Sequence, residues 1–299
     1  MSRKIDKNSI SQKYIDYDVH GLVGIRLINP SPRDAAAVAK QLGPLQAPLS
    51  QEPDIIIRFT DRFPTPPMQY LGLNTFGFTD DAFYALRSNK GRAHAKISFD
   101  KIGQQCEILC ESGARAVPLL IHILNLTLLK KDCISLHASA FNYKGTDILV
   151  CGWSKGGKTE SLLAFAAHGA KYIGDEWVVL SGDGQKMYGV PENIRLWEWH
   201  LEYLPHVRRQ LKFETHVLFK SIHFLDGIQK MIPDHKLGSF FPVRYLRRAL
   251  PAFKRQLNVQ VSPQKIFGSA FGPFVGKPEK VFLMMSHEES TYFVEQADP

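Results

Sequence analysis

The sequence predicts a mixed α/β protein in two parts, a smaller β-rich N-terminal domain over about residues 1–115 and a larger domain over 116–299. Three observations predict it. Up to about residue 110 the apolar residues fall in short runs rich in β-branched side chains, bounded by Pro, Gly and Asp. From Ile148 to Ile173 the chain reads strand, glycine-rich loop, helix, strand, the order of a βαβ unit. The composition, 44% hydrophobic and 22% charged over 299 residues, can supply a sizeable core and excludes a wholly disordered chain.

In chain order, Leu22–Leu27, Asp54–Phe59 and Ala95–Phe99 read as strands, and Asp34–Leu42 as a short helix ended by Gly43. Pro64–Pro67 marks a loop. The apolar stretch from Val117 to Lys131 reads as a buried helix; with His122 and Asn125 inside it, it is too short to span a bilayer. Ile134–Phe141 reads as one strand, Asn142–Asp147 as a turn and Ile148–Cys151 as a fully apolar strand. A helix from about Lys158 to His168 is closed by Gly169, and Lys171–Ile173 is a strand that Trp177–Leu180 extends.

The glycine-rich loop carries the chemistry. Gly152-Trp153-Ser154-Lys155-Gly156-Gly157-Lys158-Thr159 fits G-x-x-x-x-G-K-[ST] at every fixed position. Glycines let the backbone wrap a phosphate with its N–H groups inward, and the next helix adds its positive N-terminal end. Lys158 would reach the outer phosphates and the Thr159 hydroxyl would ligate Mg²⁺. The alternative is a glycine-rich turn that matches by chance; the apolar strand before it and the helix after it favour nucleotide binding.

A right-handed crossover makes Lys171–Ile173 parallel to Ile148–Cys151, which puts Asp175 and Glu176 on the same sheet edge as the loop. One of the two would hold Mg²⁺ and one would accept the proton of an attacking hydroxyl; the alternative is a solvated acidic turn. His137, on the preceding strand, is either a packed strand histidine or a partner that orients Asp175.

Taken together, Leu136-His137-Ala138, Ile148–Gly152, Gly157-Lys158-Thr159-Glu160 and Gly169–Glu176 resemble the catalytic domain of HPr serine kinase/phosphorylase. They also resemble that family's shorter relatives, which include kinases of lasso-peptide precursors. The resemblance covers about Ile134–Leu180. It implies a P-loop kinase domain with a mixed sheet related to phosphoenolpyruvate carboxykinase, and ATP and Mg²⁺ as cofactors. It implies Asp175 as general base, His137 as partner of that aspartate, and Lys158 on the phosphates, with Thr159 and Glu176 on the metal. The expected nucleotide-binding set is Gly152, Ser154, Lys155, Gly156, Gly157, Lys158, Thr159 and Glu160, with Arg195 as a phosphate contact or, equally, a structural arginine. The chain departs from the family in Asp175-Glu176 for Asp-Asp, in His137-Ala138 for His-Gly, and in having no Arg-Gly-Leu-Gly signature after the acidic pair. The last departure counts against HPr as the substrate and against a reverse phosphorylase activity.

The net charge is +8, and Leu204–Lys277 holds 13 Lys/Arg against three acids, so this segment alone is +10 and the rest −2. Arg244, Arg247, Arg248, Lys254 and Arg255 form either a solvated helix face or a wall toward phosphate or an acidic acceptor. Leu246, Leu250 and Phe253 recur at helical spacing there, with Pro251 starting, kinking or ending the helix. No DNA- or RNA-binding signature accompanies the charge, and nucleic acid is not expected. Trp197, Trp199 and Tyr203 are core or groove packing, or an adenine stack. Cys106 and Cys110 lack a second ligand pair for zinc, and four cysteines build no disulfide scaffold. With a polar N-terminus that lacks an apolar core, the expectation is a cytoplasmic protein off the membrane. The expected function is an ATP/Mg²⁺-dependent kinase acting on a hydroxyl of a protein, a peptide or a small molecule. The alternative is a non-catalytic ATP-binding module that switches a partner through the basic segment.

Overall fold

The computed structural model describes residues 13–62, 64–72, 75–87, 92–231, 241–285 and 294–296. Its architecture is mixed α/β. Alternation of apolar and polar residues builds the first sheet. Its strands are β1 (Tyr14–Val19), β2 (Val23–Ile28), β3 (Ile55–Thr60), β4 (Gln69–Leu71), β5 (Phe76–Phe78), β6 (Phe83–Arg87), β7 (Arg92–Ile97) and β8 (Cys106–Glu111). They run in the order β1-β2-β3-β8-β7-β6-β5-β4, with β3 parallel to both β2 and β8 and the other pairs antiparallel.

One face of this sheet carries Tyr17, Ile25, Leu27, Ile55, Ile57, Ile97 and Ile108, all nearly or fully buried. Helices α1 (Pro32–Leu42) and α2 (Leu120–Leu129) cover it with Val38, Leu42, Leu120, Ile123, Leu124 and Leu128. Each such side chain contributes about 1.5–3 kcal/mol over leaving it in water. The start of α1 is fixed by a capping box: the Ser31 hydroxyl accepts from the Asp34 amide at 3.2 Å and the Asp34 carboxylate accepts from the Ser31 amide at 3.1 Å. Val179 and Val190, from the second half of the chain, lie in the same core, so the two halves share apolar packing.

The second half begins with β9 (Cys133–Leu136), β10 (Ala138–Tyr143), β11 (Thr146–Gly152), α3 (Lys158–Ala167), β12 (Lys171–Gly174), β13 (Val178–Ser181), β14 (Met187–Gly189) and β15 (Ile194–Trp197). Then come α4 (His200–Tyr203), α5 (Pro205–Arg209), α6 (Phe213–Met231), α7 (Phe241–Lys254), β16 (Asn258–Val261), α8 (Pro263–Phe267), β17 (Val275–Gly276) and β18 (Lys280–Met284). The sheet holding the loop strand has the order β12-β10-β11-β18 and is mixed, because β11 is antiparallel to β10 and parallel to β18. A second, antiparallel sheet has the order β17-β14-β13-β9, and β15 pairs with β16. Helix α3 packs on the mixed sheet through Leu162 and Leu163, with Phe141, Tyr172, Leu196, Phe219 and Phe267 in the same core.

The single strand expected over Ile134–Phe141 is two strands. β9 pairs with β13, whereas β10 pairs with β11 and β12, so the chain changes sheets at His137. The Lys171–Leu180 run divides in the same way, with β12 in one sheet, β13 in the other and Asp175–Trp177 between them. β12 and β11 run parallel, as the crossover requires, but with β10 between them. Pro251 lies inside α7, three residues before its end, where it removes one backbone donor from the helix ladder. Residues 232–240 and the Arg244 and Leu246 side chains lie outside the described residues. Among the described residues no helix is long and apolar enough to cross a membrane.

Candidate functional site

The two changes of sheet, at His137 and at Asp175–Trp177, meet at the seam through His137 and Glu176, and Thr159 of the glycine-rich loop reaches Asp175 there. Within the loop the Gly156 amide donates to the Trp153 carbonyl at 3.0 Å, and Lys155 and Gly157 both take left-handed backbone, φ 65° and 95°. A non-glycine residue in that region is uncommon and marks a loop held to a shape. The first turn of α3 has no side-chain cap, so its N–H groups face the loop unspent on side chains. Lys158 is buried, and its ammonium donates to the carbonyls of Gly152 at 2.9 Å and Trp153 at 2.8 Å. Gly152, Ser154, Lys155, Gly156, Gly157 and Thr159 thus belong to one continuous turn around the Lys158 side chain.

Asp175 follows β12 and is 3% exposed. The Ser139 hydroxyl of β10 donates to its Oδ1 in a short hydrogen bond, and Thr159 Oγ1 lies 3.4 Å from Oδ1 and 3.3 Å from Oδ2. Burial pushes the Asp175 carboxyl up to about 7, and the Glu176 charge adds to this, while the hydrogen bonds from Ser139 and Thr159 oppose it. The Trp177 amide donates to the Asp175 carbonyl at 2.8 Å, closing a three-residue turn around Glu176 at φ 65°. That is the rare, strained form of γ-turn. His137 meets Glu176, not Asp175: His137 Nε2 lies 3.2 Å from Glu176 Oε2, with both side chains nearly half exposed. Because the chain leaves β9 at His137, the ring projects at the seam, where the turn after Asp175 delivers Glu176.

Two residues that nothing local in the sequence marks complete the cluster. Ser139 is the closest partner of Asp175. Glu192 has a buried Oε1 with no hydrogen-bond partner, and burial, then the Glu176 and Asp175 charges, push its carboxyl up to about 7. Glu160 sits on α3, where its carboxylate lies 3.2 Å from His200 Nε2. His200 Nδ1 accepts from the Trp197 amide at 3.0 Å, so Nε2 carries the hydrogen and donates to Glu160, tying the first turn of α3 to α4. Arg195 lies on β15 between the core residues Ile194 and Leu196 and is exposed opposite Gln260. Among the described residues no hydrogen bond or ion pair joins it to the loop or the carboxylates. Trp199 and Tyr203 are exposed, and the thiols of Cys106 and Cys110 lie in the N-terminal core.

The donor set suits a hard cation: the Thr159 hydroxyl and the carboxyls of Asp175 and Glu192, the latter with one buried oxygen that has no hydrogen-bond partner. Among the described residues no three His, Cys, Asp or Glu side chains close into a complete metal cage. Mg²⁺ does not need one, because it is bound through one or two carboxylates together with phosphate oxygens. The loop, with its uncapped helix end and left-handed residues, suits a phosphate chain. Compared with known proteins, the chain matches no family model and no curated protein.

Proposed function

We propose that the chain is an ATP- and Mg²⁺-dependent kinase of the HPr kinase type, with a P-loop fold, that moves the γ-phosphoryl group to a hydroxyl acceptor. One observation carries the reading: the motif threonine, Thr159, lies within 3.4 Å of both oxygens of a buried carboxyl whose pKa is near neutrality. A carboxylate so tuned accepts a proton at physiological pH, and its burial excludes competing water. Thr159 with a carboxylate of the cluster would hold Mg²⁺, which neutralises charge on the phosphates. The loop amides and Lys158 fix the phosphate chain. Asp175 takes the acceptor proton as the new O–P bond forms and the bond to the leaving phosphate breaks. Ser139 keeps the Asp175 carboxylate aimed, and His137 orients Glu176. Most of the rate comes from positioning and preset charge. The acceptor is a serine of a protein or peptide, or a small molecule, and the basic C-terminal segment favours an acidic one. The four free cysteines fit a reducing cytoplasm.

The test uses purified protein with radiolabelled Mg-ATP and a panel of hydroxyl-bearing peptides and metabolites. Lys158→Ala should lose nucleotide binding. Asp175→Asn should keep it and lose transfer by about 10²–10⁴-fold, the size of a general-base contribution. If Asp175→Asn keeps full turnover, or the wild type labels no acceptor, the kinase reading fails and a nucleotide-switched binding module takes its place.

A further inference from the structure

Among the places where the N-terminal sheet and its helices meet the second half of the chain is the segment that carries Glu192. The hairpin between β1 and β2 turns on His20 and Gly21, both with positive φ (58° and 72°), and the Leu22 amide donates to the Val19 carbonyl at 3.0 Å. This is the type I′ hairpin turn, whose first position favours Asn, Asp or Gly. Histidine there is a poorer local choice, and its ring has a distant use. Nε2 lies 2.8 Å from the Gly189 carbonyl, and the ring lies 5.3 Å from that of Tyr188. A carbonyl can only accept, so Nε2 carries the hydrogen whatever the state of the rest of the ring.

A second contact comes from the end of α1. A Cβ on Gly43 would lie 2.5 Å from the Pro191 carbonyl oxygen and 2.7 Å from its ring, so these two backbones meet without a side chain between them. On the opposite side, Gly189 is pressed against β12, where a Cβ would run into the Ile173 carbonyl. The segment's own groups are spent in holding it. The Gly189 amide donates to Phe274, the Val190 amide to Trp177 and the Glu192 amide to Val190, at 2.8, 3.3 and 2.8 Å. Val190 is fully buried in the N-terminal core. Residues 189–192 are thus held between the N-terminal domain and the strand that leads into Asp175.

We infer that the N-terminal domain is a positioning device: His20 and the end of α1 clamp residues 189–192 onto β12, and this clamp sets the Glu192 carboxylate beside Asp175 and Glu176. His20 is a positioning residue in this scheme, acting on the acidic cluster only through Glu192. The turnover arm of its test rests on the phosphotransfer reading; the exchange arm does not.

The informative variant is His20→Asn. Asparagine suits the turn at least as well as histidine, so the hairpin persists, but its side chain is too short to reach Gly189. Amide hydrogen exchange on the full chain should then speed up at Gly189, Val190 and Glu192 while Leu22, inside the turn, stays protected. Gly43→Ala, which pushes on Pro191 from the other contact, should give the same pattern. In turnover with Mg-ATP, His20→Asn should lower kcat on the order of tenfold with KM for the nucleotide unchanged. It should cost nothing further in a Glu192→Gln background, since a residue acting through another cannot add to its loss. Unchanged exchange at those three amides overturns the clamp. Losses that multiply in the double variant overturn its action through Glu192. A wild type that turns over no ATP defeats the kinase reading and leaves the exchange result to decide the clamp.

Discussion

The N-terminal sheet and the seam both bury acidic side chains, and they treat them in opposite ways. In the sheet, Glu111 is 5% exposed and is met by Arg87 at 2.9 Å and by Arg92. Asp34 caps α1 and accepts from the Gly113 amide at 2.7 Å, and Asp54 meets Lys131 at 2.7 Å. At the seam, burial and neighbouring acidic charge act together: Glu176 raises Asp175, and Glu176 and Asp175 raise Glu192. Lys158 is bound to its own loop, and one oxygen of Glu192 has no partner. A buried charge with a partner is costly to strip of that partner, whereas like charges gathered without one are costly to keep and cluster at functional sites. The seam is where this protein departs from local consistency, and that departure is what makes it the candidate site.

The contrast breaks most visibly if either side responds wrongly to neutralisation. Glu111→Ala should destabilise the protein by about 2–3 kcal/mol, because it leaves Arg92 and Arg87 facing a partly buried pocket with no anion; their own exposure keeps the cost below that of a fully buried pair. Urea unfolding reads it, and an unchanged midpoint would remove the Glu111 network from the scaffold.

Asp175→Asn and Glu192→Gln should do the reverse and stabilise the fold, each on the order of 2 kcal/mol at pH 8. The folded Asp175 titrates at about 7 against 3.8 for the free side chain, and Glu192 at about 7 against 4.5. Between those limits the folded protein holds protons that the unfolded chain has released, so the wild type loses stability as pH rises toward 7. The variants cannot lose it. Their advantage should open from about pH 4, grow to pH 7 and then stay level in thermal melts taken across that range. A gain that is flat with pH would mean the carboxyls are not held proton-loaded.

Ser139→Ala sharpens the same comparison from inside the cluster. Its hydroxyl stabilises the ionised form of Asp175, so its loss should raise that carboxyl further, in the same direction as burial and the Glu176 charge already push it. If Asp175 must be ionised to act, the acidic limb of the turnover profile moves alkaline by about one pH unit, the size of one hydrogen bond to a charged group. Ser139→Thr should restore it. A fall in rate with an unmoved limb would leave Ser139 as packing alone.

Much of the seam could be read in the chain, because its parts obey local rules. The glycine spacing of 152–159, the apolar strand before it and the parallel sense of Lys171–Gly174 each follow from periodicity and handedness, and they carry Asp175 to the loop's edge. What could not be read depends on pairing between distant strands. Nothing in Ile134–Phe141 announces that half of it joins one sheet and half another, since both halves are equally apolar and β-branched or small. That unseen change of sheet places His137, which the resemblance implies as a partner of Asp175, on Glu176 instead. Glu192 was invisible for the same reason. It follows a glycine–proline turn like many surface acids, and that turn is packed against His20, Gly43 and β12, all distant in sequence.

The smallest effect is expected in the basic segment. Read from sequence, its charge is either a solvated helix face or a wall toward phosphate or an acidic acceptor. In the fold, Lys254 of α7 meets Asp226 of α6 at 2.7 Å, and Lys230 meets the same carboxylate at 3.1 Å, so this part of the surplus joins two helices. Exposed pairs of this kind contribute under about 1 kcal/mol. Lys254→Met should therefore shift the unfolding midpoint barely, and raised salt should erase even that difference. Nucleotide affinity should not move. Arg248 and Arg255 are exposed and stand apart from that pairing, so their joint replacement by glutamine is the arm that tests an acidic acceptor. If Lys254→Met weakens nucleotide or acceptor use as much as that pair does, the segment acts as one electrostatic surface and the division between paired scaffold charge and free functional charge does not extend to α7.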